Sequence, residues 1–137
     1  IFSVNTSDNS IFMEFIEGQT LERALRGKNF REHLSQTAQL LSNIHSLNVI
    51  HGDPTTSNFL VNNKIFAIDF GLSSISDDNE DRASDLRVFL ESLDSHHSEI
   101  NGRDIFLEAY SDWDASKPVL DALKVLELRG RYNLMRG

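Results

Sequence analysis

The stretch of the sequence whose residue types are best suited to chemistry runs from residue 50 to residue 71. It contains His51-Gly52-Asp53, an Asn five residues after that Asp, and then Asp69-Phe70-Gly71. Phosphoryl transfer requires one carboxylate that orients the attacking hydroxyl, plus an amide oxygen and a second carboxylate that hold magnesium against a triphosphate. The order and spacing therefore predict a phosphoryl-transfer site with Asp53 as the catalytic carboxylate and with Asn58 and Asp69 as magnesium ligands.

A β-hairpin is the element expected to bring these magnesium ligands together. Residues 58–61 and 64–68 are largely apolar runs separated by Asn62-Asn63, and Asn tolerates the positive φ angles that tight hairpin turns demand. Each strand of such a hairpin would deliver its polar residue to the same open end. We therefore expect Asn58 and Asp69 to be neighbours, although they are well separated along the chain.

Most of the remaining sequence has the pattern of helices. Apolar residues recur at spacings of three and four, and capping residues mark the expected ends. The predicted fold class is therefore α+β, mostly helical, with one hairpin beside the catalytic residues. The predicted elements are a first hairpin from runs 1–4 and 11–16, and helices at 20–26 with Thr20 as N-cap, at 30–47, from Asp78 to Leu93, at 103–113, and from Pro118 to Arg129-Gly130, where Gly is expected to end the helix.

The five histidines are not expected to form a metal site. Neither His33 nor His45 has a second ligand at a useful spacing, so both are predicted to lie at the surface or at a helix end. His96 and His97 fall in a polar run, 95–98, that is predicted to be a solvated loop. The sequence has no cysteine, which excludes disulfides and thiolate metal sites.

Size and charge restrict the functions that the sequence allows. A chain of 137 residues forms one domain at most. Thirteen basic against 21 acidic residues give a net charge of −8, so no basic field attracts nucleic acid to the whole domain. No apolar run approaches the roughly 20 residues of a membrane span, and no cationic apolar leader opens the chain. We therefore expect a soluble, intracellular protein without a membrane partner.

The order of the motifs resembles that of protein kinases, with three differences. Gly52 stands where an Arg usually pairs with a phosphorylated activation loop. Only 13 residues, 72–84, separate Gly71 from Asp85, which leaves little room for a platform that grips a peptide. Finally, no Gly-rich phosphate loop and no strand-borne Lys occur ahead of the site. We therefore expect that the N-terminal lobe is largely absent from this chain and that a segment preceding Ile1 has been removed.

Residues 51–60 read HGDPTTSNFL. This run resembles the small atypical kinase subunit of the KEOPS/EKC complex, the PRPK-type (p53-related protein kinase) family. Further stretches support the resemblance: MEFIEG at 13–18, IDFGLSS at 68–74, EDRASDL at 80–86 and RGR at 129–131. The resemblance implies a protein-kinase-like C-terminal lobe at 17–137, preceded at 1–16 by the hinge and the end of the N-lobe sheet.

The same resemblance implies an ATP-dependent phosphotransferase whose cofactors are ATP and Mg²⁺. Backbone groups of Glu14 and Ile16 would hold the adenine, and the side chain of Leu60 would form the floor of its pocket. Asp85 would brace the loop that carries the catalytic carboxylate, and His51 would support the same loop.

Members of the family act chiefly as an ATPase within KEOPS and support threonylcarbamoyladenosine formation on tRNA by a partner transferase subunit. They also show serine/threonine kinase activity. The partners implied are that transferase, a small regulatory subunit, and tRNA, which is reached indirectly or through a C-terminal tail that here contains Arg129, Arg131 and Arg136. A cytoplasmic location that extends to the nucleus is expected.

Two features depart from the family pattern. Pro54 replaces the usual Leu, and it removes one N–H and favours extended backbone angles at the preceding Asp; we expect it to be tolerated. Residues 132–135 interrupt the basic tail, which predicts a weaker tRNA contact.

Two other functions stay open at the level of the sequence. A small-molecule phosphotransferase of the aminoglycoside or choline kinase type shares His-Gly-Asp and the downstream Asn, but it carries a larger helical insert for which this chain has little room. A catalytically inactive kinase-like module would use the same lobe to dock a partner.

Overall fold

The structure is a computed structural model, and it describes residues 1–136. Helices dominate, and the strands are short. In chain order the elements are β1 (Ser3–Asn5), β2 (Ser10–Phe12), β3 (Gln19–Thr20), α1 (Leu21–Ala24), α2 (Phe30–Ser46), β4 (Val49–Ile50), a 3₁₀ turn (Thr56–Asn58), β5 (Phe59–Asn62), β6 (Lys64–Ala67), β7 (Ser74–Ile75), α3 (Asn79–His96), α4 (Gly102–Tyr110) and α5 (Ser116–Arg136).

The strands form small antiparallel sheets. β1 pairs with β2, β5 lies between β3 and β6, and β4 pairs with β7. Asn9 and Asn63 lie in the turns of the two hairpins with φ angles of 58° and 55°, where the small polar side chain of Asn is tolerated. Both predicted hairpins are therefore confirmed, although the strands of the first are shorter than the apolar runs suggested.

The four longer helices enclose one apolar core. Side chains from each of them are 0–2% exposed: Leu34 and Leu41 of α2, Phe89 of α3, Phe106 of α4 and Leu123 of α5. The rings of Phe89 and Phe106 stack with their centroids 4.4 Å apart. Each large apolar side chain buried in this way contributes about 1.5–3 kcal/mol. The core thus fixes α2 and α3, which flank the polar motifs.

The predicted helix starts at Thr20 and Asp78 are confirmed by their caps. The Thr20 hydroxyl oxygen accepts a hydrogen bond from the Arg23 N–H at 3.3 Å, and Asp78 Oδ1 accepts one from the Glu80 N–H at 2.7 Å. These side chains satisfy N–H groups that a helix leaves without partners in its first turn. The short side chains therefore specify where α1 and α3 begin.

The predicted end of the last helix at Gly130 is wrong. α5 continues through this glycine to Arg136 and spans 21 residues. A Cβ added at Gly130 would lie 2.9 Å from Nη2 of Arg87 on α3, so the glycine allows a close approach of the two helices. Among residues 1–136, no helix is both long and apolar enough to cross a lipid bilayer.

The predicted solvated loop at 95–98 is also wrong. Ser95 and His96 belong to α3, and His97 directly after it is only 1% exposed. The expectation that His45 lies at the surface or at a helix end is confirmed, because it lies in the last turn of α2, where it is completely buried. His33, by contrast, is only half-buried.

Candidate active site

Residues 51–58, here named the HGD loop, connect β4 to the 3₁₀ turn that precedes β5. Gly52 has a φ angle of +93° in this loop. A Cβ added at that position would collide with the carbonyl oxygen of Leu72. Only glycine fits, because any other side chain would be strained and would overlap the backbone of the next segment. Gly52, which stands where protein kinases usually have an Arg, thus allows the HGD loop to contact the backbone of Leu72.

The ring of His51 ties the HGD loop to the end of β6. The Asp53 N–H donates to Nδ1 at 3.1 Å, so Nδ1 carries no proton. Nε2 therefore carries the proton and donates to the carbonyl oxygen of Ile68 at 2.8 Å. The ring also lies 4.6 Å from the Phe70 ring. His51 is fully buried, and the structure places this residue as a link between Asp53 and the backbone directly before Asp69.

Asn58 is oriented by the residue predicted to be catalytic. Its Nδ2 donates to the Asp53 carbonyl oxygen at 2.8 Å and to Asp53 Oδ2 at 3.2 Å. Both amide donors are thereby directed at Asp53, which leaves Oδ1 as the atom able to bind a cation. The Asn58 carbonyl accepts from the Ile68 N–H at 3.0 Å. The hairpin therefore places the backbone of Asn58 beside Ile68, the residue that precedes Asp69.

Asp69 itself adopts an unusual backbone conformation. Its φ angle is 59°, and its exposed side chain accepts a hydrogen bond from the Gly71 N–H at 3.3 Å. The other residues with positive φ, apart from glycine, are Asn9, Asn48 and Asn63. A non-glycine residue in this region of φ is uncommon, and such conformations concentrate at functional sites.

The donor atoms suit magnesium. Asp53, Asn58 and Asp69 offer carboxylate and amide oxygens, which are the ligands that this hard cation prefers. Within the described residues no group of three or more His, Cys, Asp or Glu side chains forms a complete metal cage. Mg²⁺ commonly takes only one or two protein carboxylates, and it obtains its other ligands from phosphates and water. The residues present therefore fit a magnesium–nucleotide complex rather than a structural metal.

Asp85 on α3 holds the backbone of the HGD loop through hydrogen bonds. Its carboxylate is 2% exposed and accepts hydrogen bonds from the His51 N–H at 2.8 Å and from the Gly52 N–H at 2.9 Å. A third partner, Nε2 of His45, lies 2.8 Å from Asp85 Oδ2. Each carboxylate oxygen is therefore engaged, and the two N–H groups that precede Asp53 are fixed.

His45 was missed by the sequence reasoning, although a signal existed. Leu34, Ala38 and Leu41 lie on the buried face of α2. The next position of that stripe, four residues after Leu41, is 45, so helical periodicity alone puts His45 in the interior. A buried histidine requires partners for its ring nitrogens. Asp85 provides one, and the hydroxyl of Tyr110 on α4 provides the other at 2.8 Å.

Leu60, which is expected to form the floor of the adenine pocket, lies on the opposite face of β5 from Phe59. Phe59 of β5 is buried in the core and Leu60 is half-buried, since neighbouring strand residues point to opposite faces. Glu14 is exposed and Ile16 half-buried, in the link between β2 and β3. Their roles in binding a nucleotide stay predictions.

The basic residues near the C terminus lie on α5. Arg129 donates to Oε1 of Glu80 at 3.0 Å, and both side chains are more than half exposed. Arg131 is exposed and lines a groove between α3 and α5 that also contains Arg87. The side chain of Arg136 lies outside the described part of the structure. The predicted tRNA contact of these three residues stays a prediction.

The segment after Gly71 is held against β4 and the residue before it. Ile50 of β4 pairs with Ser74 of β7, and the Ser76 N–H donates to the carbonyl oxygen of Asn48 at 2.8 Å. Asn48 Oδ1 in turn accepts from Arg82 Nη2 at 2.8 Å. Short backbone pairing thus fixes the segment that a longer kinase activation loop would occupy.

Comparison with known proteins identifies relatives over nearly the whole chain. The model of the ABC1 atypical kinase-like domain matches residues 1–101. A probable bifunctional tRNA threonylcarbamoyladenosine biosynthesis protein of Methanococcus vannielii is 39% identical over 134 residues, which are 96% of this chain and 24% of that protein. The EKC/KEOPS complex subunit bud32 of Dictyostelium discoideum is 36% identical over 152 residues, covering 100% of this chain and 60% of that subunit.

A third relative is the EKC/KEOPS complex subunit BUD32 of Encephalitozoon cuniculi, which is 38% identical over 133 residues, 93% of this chain and 64% of that subunit. The chain therefore spans less than two thirds of the length of these relatives. The domain match covers most of the chain and includes every residue predicted to bind nucleotide or metal. The chain belongs to the family of ABC1 atypical kinase-like domains, and it is homologous to Bud32 subunits of the KEOPS complex.

Proposed function

We propose that this chain is the C-terminal lobe of an atypical serine/threonine kinase and ATPase of the PRPK type, working as a subunit of the KEOPS/EKC complex in threonylcarbamoyladenosine modification of tRNA. The observation that carries the proposal is the double hydrogen bond from Asn58 Nδ2 to Asp53. It holds the carboxylate and leaves the amide oxygen for a cation. The names of the relatives support the placement in KEOPS.

In the proposed reaction, Asp53 orients the attacking hydroxyl or water and accepts its proton late in the transfer. Asn58 keeps the Asp53 carboxylate in one orientation, and His51 and Asp85 fix the backbone around it. Asn58 Oδ1 and the Asp69 carboxylate are the protein ligands of magnesium. When bound, MgATP supplies the phosphoryl group and neutralises the charge that develops on it.

The proposed nucleotide site is completed by backbone groups of Glu14 and Ile16 at the adenine edge and by the side chain of Leu60 at its face. We assign residues 1–16 to the hinge and the end of an N-lobe sheet, and residues 17–137 to the C-terminal lobe. The exposure of the first hairpin supports this division: Phe2 and Phe12 are each 66% exposed, and Val4 is 61% exposed. Apolar side chains displayed in this way are typical of a surface that another element covers.

The proposed partners are the threonylcarbamoyl transferase and a small regulatory subunit of KEOPS. Relatives that carry the name of KEOPS complex subunits support this assignment. Contact with tRNA would be made through those partners or through Arg129, Arg131 and Arg136. Because the whole domain carries a net charge of −8, such contact must be local. A cytoplasmic location extending to the nucleus is proposed with this role.

The proposal is tested by Asp69→Asn in the intact protein, with Asp77→Asn as the matched control. Both substitutions replace an exposed carboxylate by an amide, but Asp77 lies outside the site. We expect Asp69→Asn to lower ATP turnover at least about a hundredfold, because a magnesium ligand is lost, and to abolish tRNA threonylcarbamoylation in cells that lack their own subunit. Asp77→Asn should behave like the wild type.

The other functions predict different outcomes. Full complementation by Asp69→Asn would show that the lobe acts as a binding module without turnover. ATP consumption that responds to aminoglycosides or amino-alcohols, and not to the transferase partner, would indicate a small-molecule phosphotransferase.

A further inference from the structure

A buried chain of hydrogen bonds extends from Asp85 away from the HGD loop. His45 of α2 places Nε2 at 2.8 Å from Asp85 Oδ2 and Nδ1 at 2.8 Å from the hydroxyl oxygen of Tyr110 on α4. The three side chains are 0–2% exposed. Three helices therefore contribute to one polar cluster within an otherwise apolar core.

The donors and acceptors of this cluster can be assigned from its chemistry. The Asp85 carboxylate accepts from the His51 and Gly52 N–H groups, so the ring nitrogen facing it acts as a donor and carries the proton. The other nitrogen, Nδ1, then offers a lone pair to the Tyr110 hydroxyl, which donates to it. Burial raises the pKa of this phenol, and the nearby Asp85 adds to the effect, whereas Arg82 opposes it. Tyr110 thus keeps the proton that it donates.

We propose that Tyr110 and His45 are positioning residues that hold Asp85, and through it the backbone of the HGD loop, in the geometry that directs Asp53. The Tyr110 hydroxyl holds the ring orientation of His45 by donating to Nδ1. His45 in turn donates to Oδ2, the carboxylate oxygen that also accepts from the His51 N–H. The inference rests on the proposed function, since it assigns a role in the activity of Asp53.

The hydroxyl can be removed without removing the ring. Tyr110 packs edge-on against Trp113 with centroids 5.8 Å apart and is stacked on Phe106 at 6.5 Å. Tyr110→Phe keeps these contacts and deletes only the donor to His45. Nδ1 of His45 is then buried without its hydrogen-bond partner, so the orientation of the ring, and with it the bond to Asp85, is no longer held from α4. We therefore expect weaker hydrogen bonds from the His51 and Gly52 N–H groups to Asp85.

The test compares Tyr110→Phe with Val119→Ala in the intact protein. Val119 is completely buried in α5, and its truncation destabilises the core without touching the cluster. We expect Tyr110→Phe to lower kcat for ATP turnover roughly 3- to 10-fold, because small displacements of a catalytic group are costly. The KM for ATP should stay within about twofold, since the nucleotide contacts are intact. Amide hydrogen exchange at His51 and Gly52 should accelerate in Tyr110→Phe and not in Val119→Ala.

A second pair of variants tests His45 in the same assay. His45→Gln can still donate to Asp85, whereas His45→Leu cannot, so we expect the Gln variant to retain more turnover than the Leu variant. Wild-type kcat and unchanged exchange at His51 and Gly52 in Tyr110→Phe would overturn the inference. Equal changes in Tyr110→Phe and Val119→Ala would also overturn it, because the cluster would then be purely structural.

Asp53→Asn separates this inference from the proposed function. Loss of turnover in Asp53→Asn together with a fully active Tyr110→Phe would overturn the positioning role alone. Turnover that survives Asp53→Asn would overturn the proposed function itself, and the positioning role with it.

Discussion

In the HGD loop the N–H groups of three successive residues, His51, Gly52 and Asp53, each donate to a buried side chain. In the first hairpin, residues 1–12, the strands pair only with each other, and every residue is exposed. Both regions are short and contain several polar residues. They differ in how many independent contacts determine their backbone.

This difference shows which part of the molecule has a backbone conformation fixed in advance by its own contacts. The HGD loop is held by Asp85 of α3 and by the carbonyl of Ile68 after β6, and Asp85 is in turn bonded to His45 of α2. A phosphoryl-transfer site works by positioning and charge stabilisation. In the proposed site, the contacts that orient Asp53 therefore lie within residues 17–136, whereas the first hairpin has a surface that nothing in residues 1–136 covers.

The largest loss of stability is expected from Gly52→Ala in the HGD loop, and Gly27→Ala is its control. Gly52 needs a φ of +93°, and a Cβ added there would collide with the Leu72 carbonyl oxygen. Gly27 is exposed, and the nearest atom to a Cβ added there is 3.3 Å away. We expect Gly52→Ala to lower the free energy of unfolding by roughly 2–4 kcal/mol, because it combines strain with a steric collision. Gly27→Ala should change it by less than about 1 kcal/mol.

Urea denaturation of both variants measures these values. Similar values for the two glycines would mean that the HGD loop relaxes easily, and that its many contacts do not make it rigid.

The two hairpins and the starts of α1 and α3 were predictable from the sequence. Asn at turn positions marked the hairpins, and the capping residues Thr20 and Asp78 marked helix starts, since these signals depend only on nearby backbone groups. The expected proximity of Asn58 and Asp69 also rests on one short hairpin with a fixed register, which brings the Asn58 carbonyl to the N–H of Ile68, the residue before Asp69.

Features that depend on distant parts of the chain were not predictable in this way. Gly130 has the appearance of a helix end, but α5 continues through it to Arg136. The polar run after Leu93 has the composition of a solvated loop, yet His97 is enclosed by the fold. The partnership of His45 with Tyr110 links residues that are 65 positions apart. No local pattern encodes which helix will supply the partner of a buried side chain.

A smaller change in stability is expected when the pH is lowered, because of His97, which lies outside the HGD loop and the first hairpin. Burial lowers the pKa of this histidine, and the nearby Glu99 opposes the shift without cancelling it. The unfolded chain takes up a proton near the ordinary pKa of about 6.5, whereas the folded protein does so only at lower pH. Stability should therefore fall as the pH decreases below about 6.5, with a slope of up to about 1.4 kcal/mol per pH unit from this one group.

His97→Leu should remove this part of the acid sensitivity, whereas substitution of its exposed neighbour, His96→Leu, should not. Urea midpoints at pH 7.5 and pH 5.5 for the two variants and the wild type measure the slopes. The same slope in His97→Leu as in the wild type would assign the acid sensitivity to other groups.

The smallest effect in the isolated chain is expected from Phe12→Ser in β2. Because this side chain is 66% exposed, its replacement in residues 1–137 should change the free energy of unfolding by less than about 0.5 kcal/mol. The buried counterpart Phe89→Ser should cost several times more, since it opens a cavity and places a hydroxyl in the core. If the proposed N-lobe sheet precedes Ile1 and packs on this hairpin, Phe12 is buried in the longer protein. Phe12→Ser should then lower the free energy of unfolding by about 1–3 kcal/mol, as for a buried aromatic side chain. An equally small cost in both contexts would mean that nothing packs on the first hairpin, and that residues 1–16 are not the end of a larger sheet.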